Sequence, residues 1–269
     1  MKKIYLTLLT LGALLLTACD EVPVNERLTY VEPPEVGRAV LIEDYTGQYC
    51  VNCPRATEEI ERLVEQYGDS VVIAVAIHSG PFSKQKGVLS PLYTEVGDMY
   101  FNKWGLSAQP IGLVDRIFGP MPFSYTDWGA GVNYELTDSL TSKAPVSFVI
   151  NSTYDNETKK ATAEVQTIGL NSERVSGKLQ VWLVEDSIDS FQLMPDGSTV
   201  EHYNHMHVLR TSVNDPWGDE VSVGHGEVAV KFYDIAMDPA WVPKHCSLVT
   251  FLYDENGVKQ VSKKKLINH

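Results

Sequence analysis

The sequence contains few cysteines and few basic residues. Its 269 residues include only four cysteines, and 22 lysines and arginines stand against 35 aspartates and glutamates, for a net charge of −13. Such an acidic surface repels nucleic acid and anionic lipid head groups, and no cluster of basic residues indicates either partner. The N-terminal apolar run, residues 4–16, is too short to span a bilayer comfortably.

Several signatures of catalysis are also missing. The sequence contains no serine-hydrolase elbow, phosphate-binding loop or dinucleotide fingerprint. Cys50 and Cys53 form a C-x-x-C pair, but no second pair is present to complete the four ligands of a structural zinc site. We therefore expect no cofactor and no metal.

The N-terminus has the organisation of an export signal. Lys2 and Lys3 precede the apolar run, which ends in "LTAC" at Cys19. This ending resembles a bacterial lipobox, and the resemblance implies cleavage before Cys19 and acylation of that residue, with the membrane as a partner. The alternative is an ordinary secretory signal with a chance cysteine. We predict a signal peptide at 1–18, and the acidic, proline-containing stretch 19–38 reads as a lipidated tether.

Export permits disulfides, which makes the remaining cysteines informative. The mature chain would keep Cys50, Cys53 and Cys246, so at least one thiol is left over or pairs outside the chain. Cys246 begins an apolar run, and a buried free thiol is the favoured interpretation. Intermolecular pairing is the alternative.

Residues 39–78 have the pattern strand, helix, strand. An apolar run at 39–45 precedes the cysteine pair, and Ile60, Leu63, Val64 and Tyr67 recur at helical spacing after it. The continuous apolar run at 70–77 is typical of a strand covered on both faces. A unit of this size predicts parallel strands joined by a right-handed crossover.

The pattern of apolar and polar residues changes after Ala144. Short β-rich runs separated by turn residues continue to the C-terminus, and Asn256-Gly257 is a strong hairpin signal. We therefore predict two domains, an α/β domain over 39–144 and an all-β antiparallel sandwich of Ig-like type over 145–269.

Three interpretations compete for the pair Cys50 and Cys53. Zinc is disfavoured by the missing ligands, and a purely structural disulfide would close only a tiny loop and restrict the unfolded chain little. The third is a redox pair at the start of a helix, where free N–H groups and the positive end of the dipole stabilise a thiolate.

The order apolar strand, approach, C-x-x-C, helix and strand resembles the thioredoxin fold over about 39–143. The resemblance implies that Cys50 attacks, that Cys53 resolves, and that a buried acid six positions before the first cysteine, here Asp44, serves proton transfer at Cys53. It also implies a cis-proline that shapes the substrate groove, here Pro110 in "WGLSAQPIGLVDR". Strand alternation would point only one of Glu43 and Asp44 inward. The alternative to a buried catalytic acid is that Glu43 and Asp44 are both solvated residues of a turn.

A narrower resemblance covers nearly the whole chain. The lipobox, "IEDYTGQYCVNCPRA", "QPIGLVDR" and "HYNHMHVLRTSVNDPWG" together resemble the outer membrane protein 28 family of lipoproteins. This resemblance implies a thioredoxin-like domain followed by a β-sandwich, and an outer-membrane location facing the periplasm or the cell surface. It implies no established substrate or reaction.

Histidines cluster at 202, 205 and 207. On a strand, His205 and His207 would share a face and could hold Zn²⁺ or Cu²⁺ with a third histidine. The favoured interpretation is a loop-to-strand segment whose histidines form hydrogen bonds.

Two functions follow from these observations. The first is a membrane-tethered thiol–disulfide exchanger that acts on exported protein thiols through Cys50 and Cys53. The second is a surface binding or assembly lipoprotein in which the sandwich engages a partner and the cysteine pair is a structural disulfide.

Overall fold

A computed structural model describes residues 37–117, 121–138 and 142–267 of the chain. The structure is 47% strand and 19% helix. Within these residues the three α-helices are α1 (Cys53–Tyr67), α2 (Glu95–Lys103) and α3 (Trp128–Thr137). The strands of the first half are β1 (Val40–Thr46), β2 (Val72–His78), β3 (Lys84–Gln85), β4 (Val88–Leu89) and β5 (Ile111–Val114). Those of the second half are β6 (Val146–Asp155), β7 (Lys160–Gly169), β8 (Val175–Glu185), β9 (Ile188–Leu193), β10 (Thr199–His205), β11 (Val208–Ser212), β12 (Asp219–Val223), β13 (Val228–Ala236), β14 (Cys246–Asp254) and β15 (Gly257–Lys265).

The unit β1–α1–β2 forms as the sequence pattern predicts. Strands β1 and β2 pair in parallel, and α1 buries its apolar face at Ala56, Ile60 and Leu63. The helix ends at Gly68, which has a φ of 95° and donates its N–H to the Val64 carbonyl at 2.8 Å. Glycine meets this backbone conformation without the steric cost that a side chain would bring.

One eight-stranded sheet joins the two halves of the chain. Its strand order is β15-β14-β8-β11-β2-β1-β5, with β12 paired to β8. Strand β11 lies between the halves, antiparallel to β8 and parallel to β2, where Val208 is the partner of Ala76. The β11 strand therefore covers the edge of β2, which would otherwise present unpaired backbone groups.

Three hydrophobic clusters fill the space around this sheet. The first contains side chains of both halves, with Leu41 and Val75 beside Trp182 and Phe251. In the second, the three-stranded sheet β13-β7-β6 packs on the C-terminal strands of the large sheet. The third lies under α1 and α3. The first cluster thus packs the N-terminal and C-terminal strands into one core.

The predicted fold class is therefore wrong. The described residues contain no separate thioredoxin-like α/β domain and no independent Ig-like sandwich, because the strands of both predicted domains hydrogen-bond within one mainly β sheet. One of the three hydrophobic clusters is also shared by both halves of the chain. Short-range sequence patterns predicted many of the strands but carried no information about which strands pair across the two halves.

The predicted signal peptide, Cys19 and most of the tether lie outside the described residues. The structure places the last tether residue in the folded body, since the Arg38 guanidinium is buried and contacts Asp115 at 2.7 Å and Glu135 at 3.1 Å. The boundary near 144 stays a prediction; residues 36–269 cluster as one compact unit. Among the described helices, none has the length and apolar character needed to cross a membrane.

Candidate functional site

The cysteine pair lies at the start of α1, where the chain turns from β1 into the helix. Cys50 and Cys53 form a disulfide, and Cys53 is the first residue of α1. The Cys53 N–H donates to the Cys50 carbonyl at 3.3 Å, and Pro54 occupies a first-turn position that needs no N–H donor. Both cysteines are about 1–2% exposed, so the disulfide is shielded from bulk solvent.

Glu43 and Asp44 are both buried, which the alternation argument did not foresee. Strand β1 is covered on both faces, so successive side chains enter two different interiors. Glu43 accepts a hydrogen bond from Arg116 Nε at 2.6 Å and another from the Tyr45 hydroxyl at 2.9 Å. Asp44 points to the opposite face, beneath α1, where Cys53 also lies.

Asp44 is held in a neutral form by its surroundings. Its side chain is 2% exposed, and Oδ1 has no hydrogen-bond partner among the residues that the structure describes. Burial raises the pKa of this carboxyl to about 8, because the charged form loses its hydration. At neutral pH Asp44 is therefore a carboxylic acid that can donate a proton.

Pro110 follows a cis peptide bond from Gln109. Strand β5 begins at the next residue, and Ile111 pairs with Tyr45 near the end of β1. The Gln109 side chain donates to the Thr46 carbonyl at 2.6 Å and to the Ser79 carbonyl at 2.8 Å. These bonds hold the segment before Pro110 against the strand end from which the chain leads to Cys50.

A hairpin that the sequence analysis did not predict covers the disulfide. It consists of β9 and β10, and Gln192 of β9 donates to the Cys50 carbonyl at 3.1 Å. The Leu193 N–H donates to the Gln48 carbonyl at 2.9 Å, and the rings of Tyr49 and Phe191 lie 5.1 Å apart. The hairpin thus binds the backbone that surrounds the first cysteine.

A cavity of about 150 Å³ lies on the other side of the disulfide, between the sheet, α1 and the hairpin. Asp44 and Cys53 line it, together with His78 from β2 and His205 from β10. The side chains of Thr57 and Tyr203 lie at its rim, where they are partly exposed. The cavity therefore connects the second cysteine and its neighbouring acid with the molecular surface.

Two of the histidines that line the cavity, His78 and His205, are neutral. Their ring centroids lie 5.4 Å apart, and His78 is 2% exposed while His205 is 6% exposed. Burial lowers the pKa of His78 well below its usual value, and it lowers the pKa of His205 to about 4. His205 Nε2 contacts the Phe191 carbonyl at 3.2 Å, so this nitrogen carries the proton and Nδ1 is the acceptor.

The histidine cluster predicted from sequence does not converge. His202 is exposed beside Asp189, His205 enters the cavity, and His207 bonds to Asp186. Within the described ranges, no group of three or more histidines, cysteines, aspartates or glutamates could hold a metal ion. The hydrogen-bonding interpretation of this segment describes the three side chains.

Cys246 is a free, fully buried thiol, as predicted. Burial raises its pKa to about 12, so it remains protonated and unreactive.

Sequence reasoning missed His78, Gln192 and the covering hairpin. His78 directly follows the apolar run that ends at Ile77. A polar residue at this position indicates only the end of a strand, so it did not suggest a functional residue. The paired runs 188–193 and 199–205 flank a turn containing Asp196-Gly197, which is the hairpin signal that could have revealed them.

A protein-family model, Outer membrane protein Omp28, matches residues 97–269 of this chain. The matched range begins within α2 and excludes both Cys50 and Cys53. No curated protein matches the chain in sequence.

Solved structures resemble the chain in fold. HBP35 of Porphyromonas gingivalis has a TM-score of 0.66 at 13% identity, covering 86% of this chain and 76% of that one. A structural-genomics target from Agrobacterium tumefaciens has a TM-score of 0.52 at 15% identity, covering 86% of this chain and 95% of that one. A domain of the outer membrane lipoprotein Omp28 from P. gingivalis is 24% identical over 46% of this chain and 88% of that one, with a TM-score of 0.33.

Proposed function

Because this chain belongs to the Outer membrane protein Omp28 family, it is a protein of the outer membrane, and we propose that it carries a lipid anchor and that its cysteine pair exchanges disulfides with the thiols of exported proteins. The family and the envelope localisation predicted from the sequence are confirmed. The family match lies outside the cysteine pair, so the proposal rests on the geometry around Cys50 and Cys53.

The observation that carries the proposal is the placement of Cys53 and Asp44 in one cavity at the start of a helix. The helix N-terminus lowers the cost of a thiolate, and a buried carboxylic acid can protonate the sulfur that leaves when the disulfide opens. A disulfide with only a structural role has no need of an uncompensated acid behind it, because burying that acid costs stability.

The oxidised protein carries out the exchange in two steps. A substrate thiolate attacks Cys50 Sγ, the bond between the two protein sulfurs breaks, and its electron pair goes to Cys53 Sγ, which takes a proton from Asp44. A second substrate thiolate then attacks the mixed disulfide and releases Cys50 as a thiolate. The substrate is oxidised and the protein pair is reduced; the reverse sequence reduces a substrate disulfide.

A macromolecular substrate must displace the hairpin, because Cys50 is buried under it. The segment before Pro110 lies at the same end of β1, where it would form a second wall of the substrate groove once the hairpin has moved.

Trapping of mixed disulfides tests the proposal. Cys53→Ser removes the resolving sulfur, so we expect the Cys50 thiol to remain linked to envelope proteins, as seen by non-reducing electrophoresis. Cys50→Ser is the matched control, and it should trap few partners, because displacement of the hairpin uncovers Cys50 and leaves Cys53 in the cavity at the start of α1. A single monomer band for Cys53→Ser, with no exchange activity in the wild type, would refute the proposed function.

A second candidate function is surface binding or assembly with a structural disulfide. The observation that favours it is an apolar row on the edge strand β13, where Val228, Val230 and Phe232 are 50%, 44% and 74% exposed. The reduction potential of the cysteine pair separates the two candidates. A value below about −300 mV is typical of a structural disulfide, and exchange enzymes range from about −270 to about −120 mV.

The lipid anchor at Cys19 is part of the proposal and lies outside the described residues. Several acyl chains would hold the protein firmly on the membrane, whereas one chain would bind only marginally. Cys19→Ala should therefore abolish incorporation of labelled fatty acid and release the protein from the membrane fraction. Continued labelling and membrane association of that variant would exclude this anchor.

A further inference from the structure

Two buried polar atoms face the cavity behind Cys53 without a protein partner. Asp44 Oδ1 and His78 Nδ1 have no hydrogen-bond partner in the described part of the chain, and both side chains are 2% exposed. An unpaired buried polar group costs about 1–3 kcal/mol. Such groups commonly bond to ordered water where there is room, and one water needs only about 10–15 Å³ of such space. The cavity of about 150 Å³ has room for several.

The parallel register of β1 and β2 brings these two groups to one face. Asp44 pairs with Ala76 and Thr46 pairs with His78, and all four side chains line the cavity. Since side chains two residues apart on a strand share a face, the Asp44 carboxyl and the His78 imidazole are diagonal neighbours on the floor of the cavity.

A line of rings continues from His78 toward the surface. The His78 ring lies 5.4 Å from the His205 ring, which lies 4.8 Å from the Tyr203 ring. Exposure rises along this line, from His78 through His205 to the half-buried Tyr203 at the rim beside Thr57. The rings therefore mark a route from the buried carboxyl to solvent.

We propose that His78 and His205 are proton-relay residues, which connect Asp44 to solvent through water held in the cavity. This inference rests on the proposed exchange function. When the disulfide opens, Asp44 gives its proton to Cys53 Sγ and regains one through the relay in the same step, because a bare carboxylate in this buried place is costly. The rate of opening therefore depends on the relay. The imidazole of His78, whose Nδ1 is unpaired among the described residues, can accept a proton at one nitrogen and donate from the other. In His205 the Nε2–H is bonded to the Phe191 carbonyl, so Nδ1 both accepts the proton and passes it on.

Neutral histidines suit this role, because a permanently charged imidazole could not accept a proton. The titratable or charged groups around His78 come from four elements: Asp44 of β1, Glu61 of α1, Tyr203, His205 and His207 in and after β10, and Arg210 of β11. Burial, His205 and Arg210 all disfavour a positive charge on His78, and burial lowers its pKa well below the usual value. The imidazole is therefore neutral over the whole range in which Asp44 titrates.

The test measures disulfide opening in the oxidised full-length protein by dithiothreitol between pH 5.5 and 8.5, with thiols counted after acid quench and alkylation. The variant His78→Asn keeps a polar atom near Nδ1 but cannot relay a proton. We expect its rate to fall about a hundredfold below pH 8, at the low end of acid–base effects, and to approach the wild-type rate above that pH. Added imidazole should restore part of the rate. The exposed His225 provides the matched control, and His225→Asn should leave the profile unchanged.

A second measurement distinguishes loss of proton transfer from a general disturbance of the structure by the substitution. In a Cys53→Ser background, the reaction of the Cys50 thiol with a small aromatic disulfide involves no proton at Cys53, so His78→Asn should not change its rate. If His78→Asn does not fold, His205→Gln is tested in the same way. A pH profile identical to wild type, or a uniform loss at every pH without rescue by imidazole, would overturn the relay. A wild-type disulfide that does not react with dithiothreitol in the folded protein would instead refute the proposed function.

Discussion

We predict that the buried carboxyl of Asp44 makes the stability of the protein depend on pH. Asp44 has a pKa of about 8 in the folded protein, against about 3.8 for an aspartate in water. Because the folded pKa is the higher one, the unfolded chain releases this proton first as the pH rises. The unfolded state then binds fewer protons than the folded state between about pH 4 and pH 8, so Asp44 makes stability fall with increasing pH in that window.

The size of the effect follows from the two pKa values. Each pKa unit corresponds to about 1.36 kcal/mol, so Asp44 should lower the free energy of unfolding by roughly 2–3 kcal/mol between pH 5 and pH 7. Asp44→Asn removes this titration while keeping the shape of the side chain. The stability of the variant relative to wild type should therefore increase by that amount over the same interval.

Denaturant unfolding of the oxidised proteins at pH 5, 6 and 7 measures this difference. Other titrating groups, such as Asp115 and His78, are common to both proteins and cancel in the comparison. Asp127 is exposed, and Asp127→Asn is the matched control for the substitution itself. If the difference between Asp44→Asn and wild type is the same at pH 5 and pH 7, the acid is not held neutral and the account of the cavity is wrong.

Three further predictions concern the parts that surround the disulfide. Gln192→Ala removes the side-chain bond to the carbonyl of the first cysteine, so disulfide reduction by dithiothreitol should become severalfold faster in an alkylation assay. Gly47→Ala places a methyl group against the Phe82 carbonyl, and the overlap should cost about 1–3 kcal/mol by denaturant unfolding. Glu43→Gln leaves the buried Arg116 guanidinium without its carboxylate, which should cost about 3–5 kcal/mol in the same measurement.

Matched variants control these three experiments. Gln166→Ala changes a glutamine on the outer sheet and should leave the reduction rate unchanged. Gly37→Ala meets no atom within 4 Å and should be nearly neutral. Arg174→Ala breaks an exposed ion pair and should cost about 0.2–1 kcal/mol. A Glu43→Gln protein no less stable than Arg174→Ala would contradict the buried ion pair.

Sequence patterns predicted the local structure of the site. The helical spacing of Ile60, Leu63 and Val64 and the glycine at 68 bounded α1 to within a residue or two, and the continuous apolar run predicted β2 as a strand covered on both faces. The position of the C-x-x-C pair just before that periodic run placed the disulfide at the helix start. These features depend on backbone geometry over a few residues, so the sequence alone carries them.

The surroundings of the pair depended on contacts between distant residues. Whether Glu43 or Asp44 is buried could not be read from alternation, because a second layer of structure covers each face of β1. The hairpin over Cys50 comes from residues 188–205, and its contacts with the loop at Gln48 have no local signal.

The sequence by itself therefore determined many of the helices and strands and placed the cysteine pair at the start of a helix. It also determined the buried thiol of Cys246 and the acidic, exported character of the chain. Only the tertiary structure decided that β11 joins β2 to β8 in one sheet, and that His78 meets His205 in a cavity behind Cys53. The physical reason is that any distant segment of suitable shape can pair with the backbone groups of a strand edge or cover the side chains that line a cavity. Hydrophobic burial and backbone hydrogen bonding require a cover, but they do not specify in the local sequence which segment provides it.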